Sequence, residues 1–327
     1  MNTLAKSKFA WLLKREYWES HRGFLWAQIW AAAAILIITI LAIIAGEVAR
    51  FRDQIQLGPS GGLGESLQNA LDHNMPALVR GLDGVVATFG GLAALVLFFV
   101  VFFYLLGALY DDRRDRSILF WKSLPISDTA TVLSKVVAGI VVAPIIAVLV
   151  VLAGYICAEV IASIWFFAHG LNAFSLVWAH ADPYSTWLHL AATIPVNAVW
   201  ALPTVGWLLL WSAMVRSKPF LWAVAIPIIA GVLNSWIALL GLPHVSVEFF
   251  WNDLVGRALL SVVPASWVTV LHLPVAEISN AVGIDRIVGT YGTMYHTFLT
   301  PDMWIGAAVG IVLIAAAIWF RRWRDET

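Results

Sequence analysis

Six apolar runs free of Asp, Glu, Lys and Arg constrain this chain more than anything else in it: Gly23–Gly46, Gly84–Tyr110, Val136–Ala158, Pro183–Val215, Pro219–Val247 and the shorter Met303–Phe320. A helix needs roughly 20 apolar residues to cross about 30 Å of hydrocarbon, so runs of this length are membrane spans. Within lipid every backbone N–H and C=O must find a partner in the protein, which leaves helices or a closed barrel. The runs are continuous rather than alternating apolar and polar, and that excludes the barrel. With 61% of residues hydrophobic and only 12% charged, the composition agrees. The expected fold is therefore an all-α integral membrane protein, a single transmembrane domain over residues 1–327. Its six transmembrane helices lie near 24–46, 85–109, 135–167, 190–215, 220–242 and 303–320. The first run is too long for a signal peptide and no small-residue cleavage pattern precedes Glu47 and Arg50, so it is retained as a helix. Cys157 is the single cysteine, which rules out an intrachain disulfide.

Charge sets the expected orientation. With both termini in the cytoplasm, 15 of the 20 basic residues fall inside and Arg50, Arg52, Arg80, Arg257 and Arg286 fall outside, following the positive-inside rule. This N-in/C-in layout needs an even number of spans. It makes 110–134 a cytoplasmic loop and 47–84, 168–189 and 243–302 extracytoplasmic ones. Residues 4–22 form an interfacial helix whose apolar face, Phe9, Leu12, Leu13 and Tyr17, is interrupted by Glu16. Leu254–Leu273 is long enough to span but carries Arg257, Ser261, Pro264 and His272. Spanning there would push Arg321–Arg324 outside, so the expectation is re-entrant or surface helices before the last span. Residues 136–167 exceed one bilayer thickness at ~1.5 Å per residue, so that helix projects beyond a face or breaks at Pro144. Pro195, Pro203 and Pro227 interrupt the fourth and fifth spans.

Little chemistry is on offer. The span centres contain no acidic or basic residue, whereas a charge at the bilayer centre is retained for proton relays and ion coupling. Glu159 sits near the outer end of the third span, where its carboxylate snorkels to water or faces a substrate. Asn197 and Asn234 are the most buried-looking polar groups, suited to interhelical hydrogen bonds or to a substrate path shared with Glu159. The histidines show no HExxH spacing, His180, Asp182 and His189 read as a wet loop, and no GxSxG elbow occurs, so neither a metal centre nor a catalytic residue is expected. The glycine-rich Gly58–Ser66 lacks the Lys-Ser/Thr ending of a phosphate loop.

If such a chain transports, energy has to reach it from another subunit. The segment Tyr110–Lys135 is placed to receive it. Asp111, Asp112, Arg113, Arg114, Asp115 and Arg116 form a mixed-charge run, followed by the apolar Ile118, Leu119, Phe120, Trp121 and Leu124. Pro125 then stops the helix and Ser127 can cap the next one. A short amphipathic helix of this kind suits a groove on a cytoplasmic partner, or rests on the headgroups.

The segment DDRRDRSILFWKSLPISDTATVLSK, with its acidic-basic run, its Leu124–Pro125–Ile126–Ser127 element and Lys135, resembles the ABC type 2 exporter permeases. KREYWESHRG at Lys14–Gly23 is similar to that family's lead-in to its first helix. The resemblance implies a multi-pass permease subunit of the bacterial cytoplasmic (inner) membrane that exports a lipophilic or amphipathic substrate: a lipid, a peptide or a drug-like molecule. It implies pairing with a second permease copy or a related chain, with two copies of a cytoplasmic ABC ATPase, and with membrane lipids, but not with nucleic acid. Asp112–Pro125 would be the coupling helix. ATP and Mg would sit on the ATPase and no cofactor on this chain, which has no GxxxxGK[ST]. The alternatives are a non-transporting scaffold or signalling subunit and an embedded lipid-modifying enzyme.

Overall fold

The computed structural model describes residues 3–57, 88–115, 126–172, 178, 183–270 and 294–323. Those residues are overwhelmingly helical, with no strand among them. In chain order the long helices are α1 (Thr3–His21), α2 (Ala27–Leu57), α3 (Thr88–Arg114), α4 (Asp128–Ala168), α5 (Pro183–Trp200), α6 (Leu202–Met214), α7 (Pro219–Leu239) and α8 (Pro301–Trp323). Among the described residues five helices are long and apolar enough to cross a membrane, and six are if α5 and α6, bent by 55° at their junction, make one broken span. Several long apolar helices of this kind fit a membrane-embedded multi-pass protein.

Several local expectations are revised. Residues 4–22 are helical but not set apart from the first span: a π-helical turn at Arg22–Trp26 joins α1 to α2 in one helical run. α4 does not break at Pro144. A π-helical turn at Ala138–Val142 just ahead of it leaves the 41-residue helix intact, as wide turns do where a regular ladder is disturbed. The prolines differ in effect: Pro195 and Pro227 lie inside continuous helices, whereas Pro203 opens α6 immediately after the bend. A proline costs no helix bond in the first turn, so the break sits where Pro203 is cheapest. Leu254–Leu273 is not one helix. Its described part ends a helical turn at Leu260 and restarts at Ser266, with Ala265 in the left-handed region at φ 63°.

Ser127 caps α4 as expected, its Oγ accepting from the Ala130 amide at 3.2 Å. Ser127→Ala is expected to remove about 0.5–2 kcal/mol of stability, read as a drop in the thermal midpoint of the detergent-solubilised chain.

Packing divides the chain into two compact units. One comprises residues 1–24, 97–145 and 191–327, the other residues 25–96 and 146–190. In the second, Ile35, Phe89, Ala93, Val151 and Ala158 form the core, and Gly154 gives the Phe89 ring its place: a Cβ there would lie 2.8 Å from that ring. In the first, α6 packs along α8, with Val205, Leu208, Leu209, Ala307 and Ala317 buried. Between membrane helices there is little hydrophobic driving force, so tight crossings rely on small residues. Gly206 meets Gly310 at this one.

Candidate functional site

The polar heart of the first unit is an ion network assembled from residues far apart in sequence. Lys135, on the first turns of α4, places its Nζ 3.3 Å from Glu16 Oε1 and 3.5 Å from Asp112 Oδ2. Glu16 also accepts a 2.8 Å hydrogen bond from the Tyr104 hydroxyl. Arg321, near the end of α8, reaches Asp112 Oδ2 with Nη1 at 3.3 Å and Asp128 Oδ1 with Nε at 3.2 Å. Arg15 flanks the group at 3.9 Å from Asp112 and binds Glu19 at 2.7 Å. Glu16, Lys135 and Arg321 are only 1%, 3% and 3% exposed, so these charges are stable only as a set. Glu16, which reads in the sequence as a flaw in an apolar face, is the acid that face exists to bury.

Arg113 turns into the same unit. Its Nη2 donates to the Ser212 and Val215 carbonyls at 2.6 and 3.0 Å, while Ser212 Oγ accepts from the Leu109 and Tyr110 amides. The ends of α1, α3, α6 and α8 and the start of α4 are thereby held together. These five ends form one polar layer of the first unit.

Arg321 bridges Asp112 and Asp128, the two flanks of the 110–134 segment. Of the expected docking residues, Asp112 and Arg113 are bound inside their own chain. Asp111, Arg114 and Asp115 are exposed, with Arg114 paired to Asp111 at 3.6 Å and to Asp115 at 3.1 Å and lying over the Tyr110 ring. Exposed pairs of this kind are worth little, so their charges are available to exchange partners. Arg116, Ile118, Leu119, Phe120, Trp121, Leu124 and Pro125 lie outside the described residues. Beside the network a cleft of about 540 Å³ opens between α1 and α3, lined by Glu19 of α1 and by Phe99, Phe103 and Asp111 of α3.

No protein family, curated protein or solved structure matches the chain.

Of the residues expected along a substrate path, Asn197 and Asn234 belong to the first unit and Glu159 to the second. Asn197 accepts from the Ala265 amide and from Trp267 Nε1 at 3.1 and 3.0 Å, and Asn234 exchanges two bonds with the Val245 backbone. Both amides therefore fasten the 243–267 segment to α5 and α7. Glu159 does not snorkel to water. It is 2% exposed, in the second unit, with both carboxylate oxygens buried and the Tyr155 side chain beside them. α4 is long enough to carry that position below its own end, which is why the expectation fails. Among the described residues no group of three metal-ligating side chains comes together; His180 and Asp182 lie outside them.

Arg257, expected only as a charge in an extracytoplasmic segment, is buried. It is 8% exposed, and burial pushes its guanidinium below the ordinary arginine range against the opposing pull of Asp302 and Asp253. It stacks on Trp200, with Cζ 4.0 Å from the ring centroid, and donates from Nη1 to the Asp302 carbonyl at 2.6 Å. The signal was present as a lone arginine in the apolar stretch Leu254–Leu273.

Proposed function

We propose that this chain is the membrane permease subunit of an ATP-binding-cassette exporter, driven by a cytoplasmic ATPase docked on residues 110–134. The observation that carries the reading is the Arg321 clamp. The docking segment leaves α3 at Asp112 and enters α4 at Asp128, and one arginine of α8 holds both points. A push on a segment fixed at its base in this way reaches α1, α3, α4 and α8 together. That is what coupling ATP closure to helix rocking requires.

In this reading the bent α5–α6 pair is a single span, the spans number six, and both termini are cytoplasmic. The shared polar layer of the five helix ends supports the count. α6 ends where α3 ends and α4 begins, so α4 goes out and α5–α6 together return. α7 then leaves and α8 comes back to Arg321, with the 243–302 segment staying on the far side. The Lys and Arg residues gathered at the clustered ends, Arg15, Arg113, Lys135 and Arg321, support a cytoplasmic face. A second permease copy completes the transporter, and the cargo is lipophilic or amphipathic. ATP and Mg belong to the ATPase.

The docking surface is the exposed charge of Asp111, Arg114 and Asp115 together with Trp121. Co-expressed with the ATPase encoded beside it, the wild-type chain is expected to co-purify as a complex in mild detergent. Reversing the three charges and adding Trp121→Ala is expected to weaken that complex at least tenfold while leaving the thermal midpoint of the permease alone unchanged. A variant that still co-purifies in full removes the docking assignment.

A further inference from the structure

The guanidinium of Arg257 is only partly used. Of its nitrogens, Nη1 has the Asp302 carbonyl, whereas Nε and Nη2 are buried and have no hydrogen-bond partner among the described residues. Those two share the side-on edge of the guanidinium, the pair of parallel N–H groups that fits two oxygens of one phosphate or carboxylate. Leaving such donors unmatched is costly, because a buried charge away from water must be paired to be stable. The placement is nonetheless firmly built. Thr204 Oγ1 donates to the Arg257 carbonyl at 2.7 Å and accepts from the Ser261 amide at 3.0 Å, fixing the turn that carries the arginine. Gly306 lets the guanidinium lie against α8, since any Cβ there would run into Nη2.

Arg257 lines a cleft of about 700 Å³, far larger than an inorganic anion needs. Trp200, Phe249, Trp251 and Leu260 give it apolar walls, and Asp253 and the exposed Glu248 stand on the same lining. A charged head against the arginine with an acyl or similar apolar body along the walls uses both parts of the cleft.

We propose that the Arg257 cleft binds the phosphate head of an amphiphile, with the Nε and Nη2 edge gripping two phosphate oxygens. This site is independent of the exporter reading and stands or falls without it. The shared chemistry is the phosphate, which a lipid or free phosphate can supply, and the apolar walls favour the lipid.

The test is a thermal-shift titration of the full chain in neutral detergent. The probes are dioctanoyl phosphatidic acid, dioctanoylglycerol and inorganic phosphate. Phosphatidic acid is expected to stabilise the wild type saturably, and dioctanoylglycerol, which lacks the phosphate, is not. Arg257→Gln is expected to weaken the apparent affinity about tenfold or more, the worth of a charge-assisted bidentate contact. Because Arg257 also holds Asp302 and Trp200, that variant can lose its fold. Leu260→Glu is the second arm: Leu260 is half exposed on the same lining, so a carboxylate there leaves the fold intact while repelling the phosphate or capturing the guanidinium. Displacement of phosphatidic acid by inorganic phosphate also supports the site and names free phosphate as a source. Equal stabilisation by dioctanoylglycerol, or a phosphatidic acid response unchanged in Leu260→Glu, overturns the proposal.

Discussion

Lys135→Met is expected to cost the folded protein about 3–5 kcal/mol, the usual penalty for stranding a buried charge. Methionine keeps most of the stem volume and removes only the ammonium. Asp112 retains Arg321 at 3.3 Å, but Glu16 is left with the Tyr104 hydroxyl and with Arg15 at 3.9 Å, which cannot neutralise a carboxylate that is 1% exposed. The diagnostic step is the double variant. Glu16→Gln alone strands Lys135 less severely, because Asp112 remains 3.5 Å away. Combined with Lys135→Met it removes the uncompensated charge while its amide oxygen still accepts from Tyr104. More than half of the lost stability is therefore expected to return, a coupling measured by thermal or denaturant unfolding of all four proteins in one detergent. Simply additive losses would mean that the two side chains do not share their charge.

The second large effect is steric. A Cβ on Gly206 would lie 2.5 Å from the Gly310 carbonyl oxygen and 2.7 Å from the Leu313 Cβ, and one on Gly310 would strike the Leu202 backbone. Backbone cannot step aside as a flexible side chain can, so α6 and α8 would have to part along their length. Overpacking typically costs about 1–3 kcal/mol, and Gly206→Leu or Gly310→Leu should reach or exceed the top of that range. The expected readout is loss of the monodisperse peak in size-exclusion chromatography. Gly46→Ala is the control: nothing lies within 4 Å of its Cβ, and alanine's helix preference should make it neutral or stabilising by up to about 1 kcal/mol. Normal behaviour of the Gly206 and Gly310 variants would contradict the close crossing.

The spans were legible because they are defined by an absence, long runs without charge, that a single strand of text displays fully. The Ser127 cap was legible because it acts over three residues. The ion network was not. Glu16 and Lys135 are 119 residues apart and Arg321 and Asp112 are 209 apart, so no local pattern distinguishes their pairing from an accidental acid on an apolar face or an ordinary basic tail. The same limit explains Arg257, whose partner groups come from α5 and from the start of α8, and Glu159, whose depth depends on the full length of α4. Among the prolines, position alone decided nothing. Pro203 marks a bend and Pro195 does not, because only tertiary packing determines where a helix can afford to stop.

ATP turnover by the permease reconstituted in nanodiscs with the ATPase encoded beside it tests coupling through residues 110–134 most directly. The docking role requires that the wild-type chain change the turnover of the ATPase. It also requires that the chain with Asp111, Arg114 and Asp115 reversed and Trp121→Ala leave that turnover at the level of the ATPase alone. Turnover that is the same with the wild-type chain, with the variant and with empty nanodiscs would contradict it.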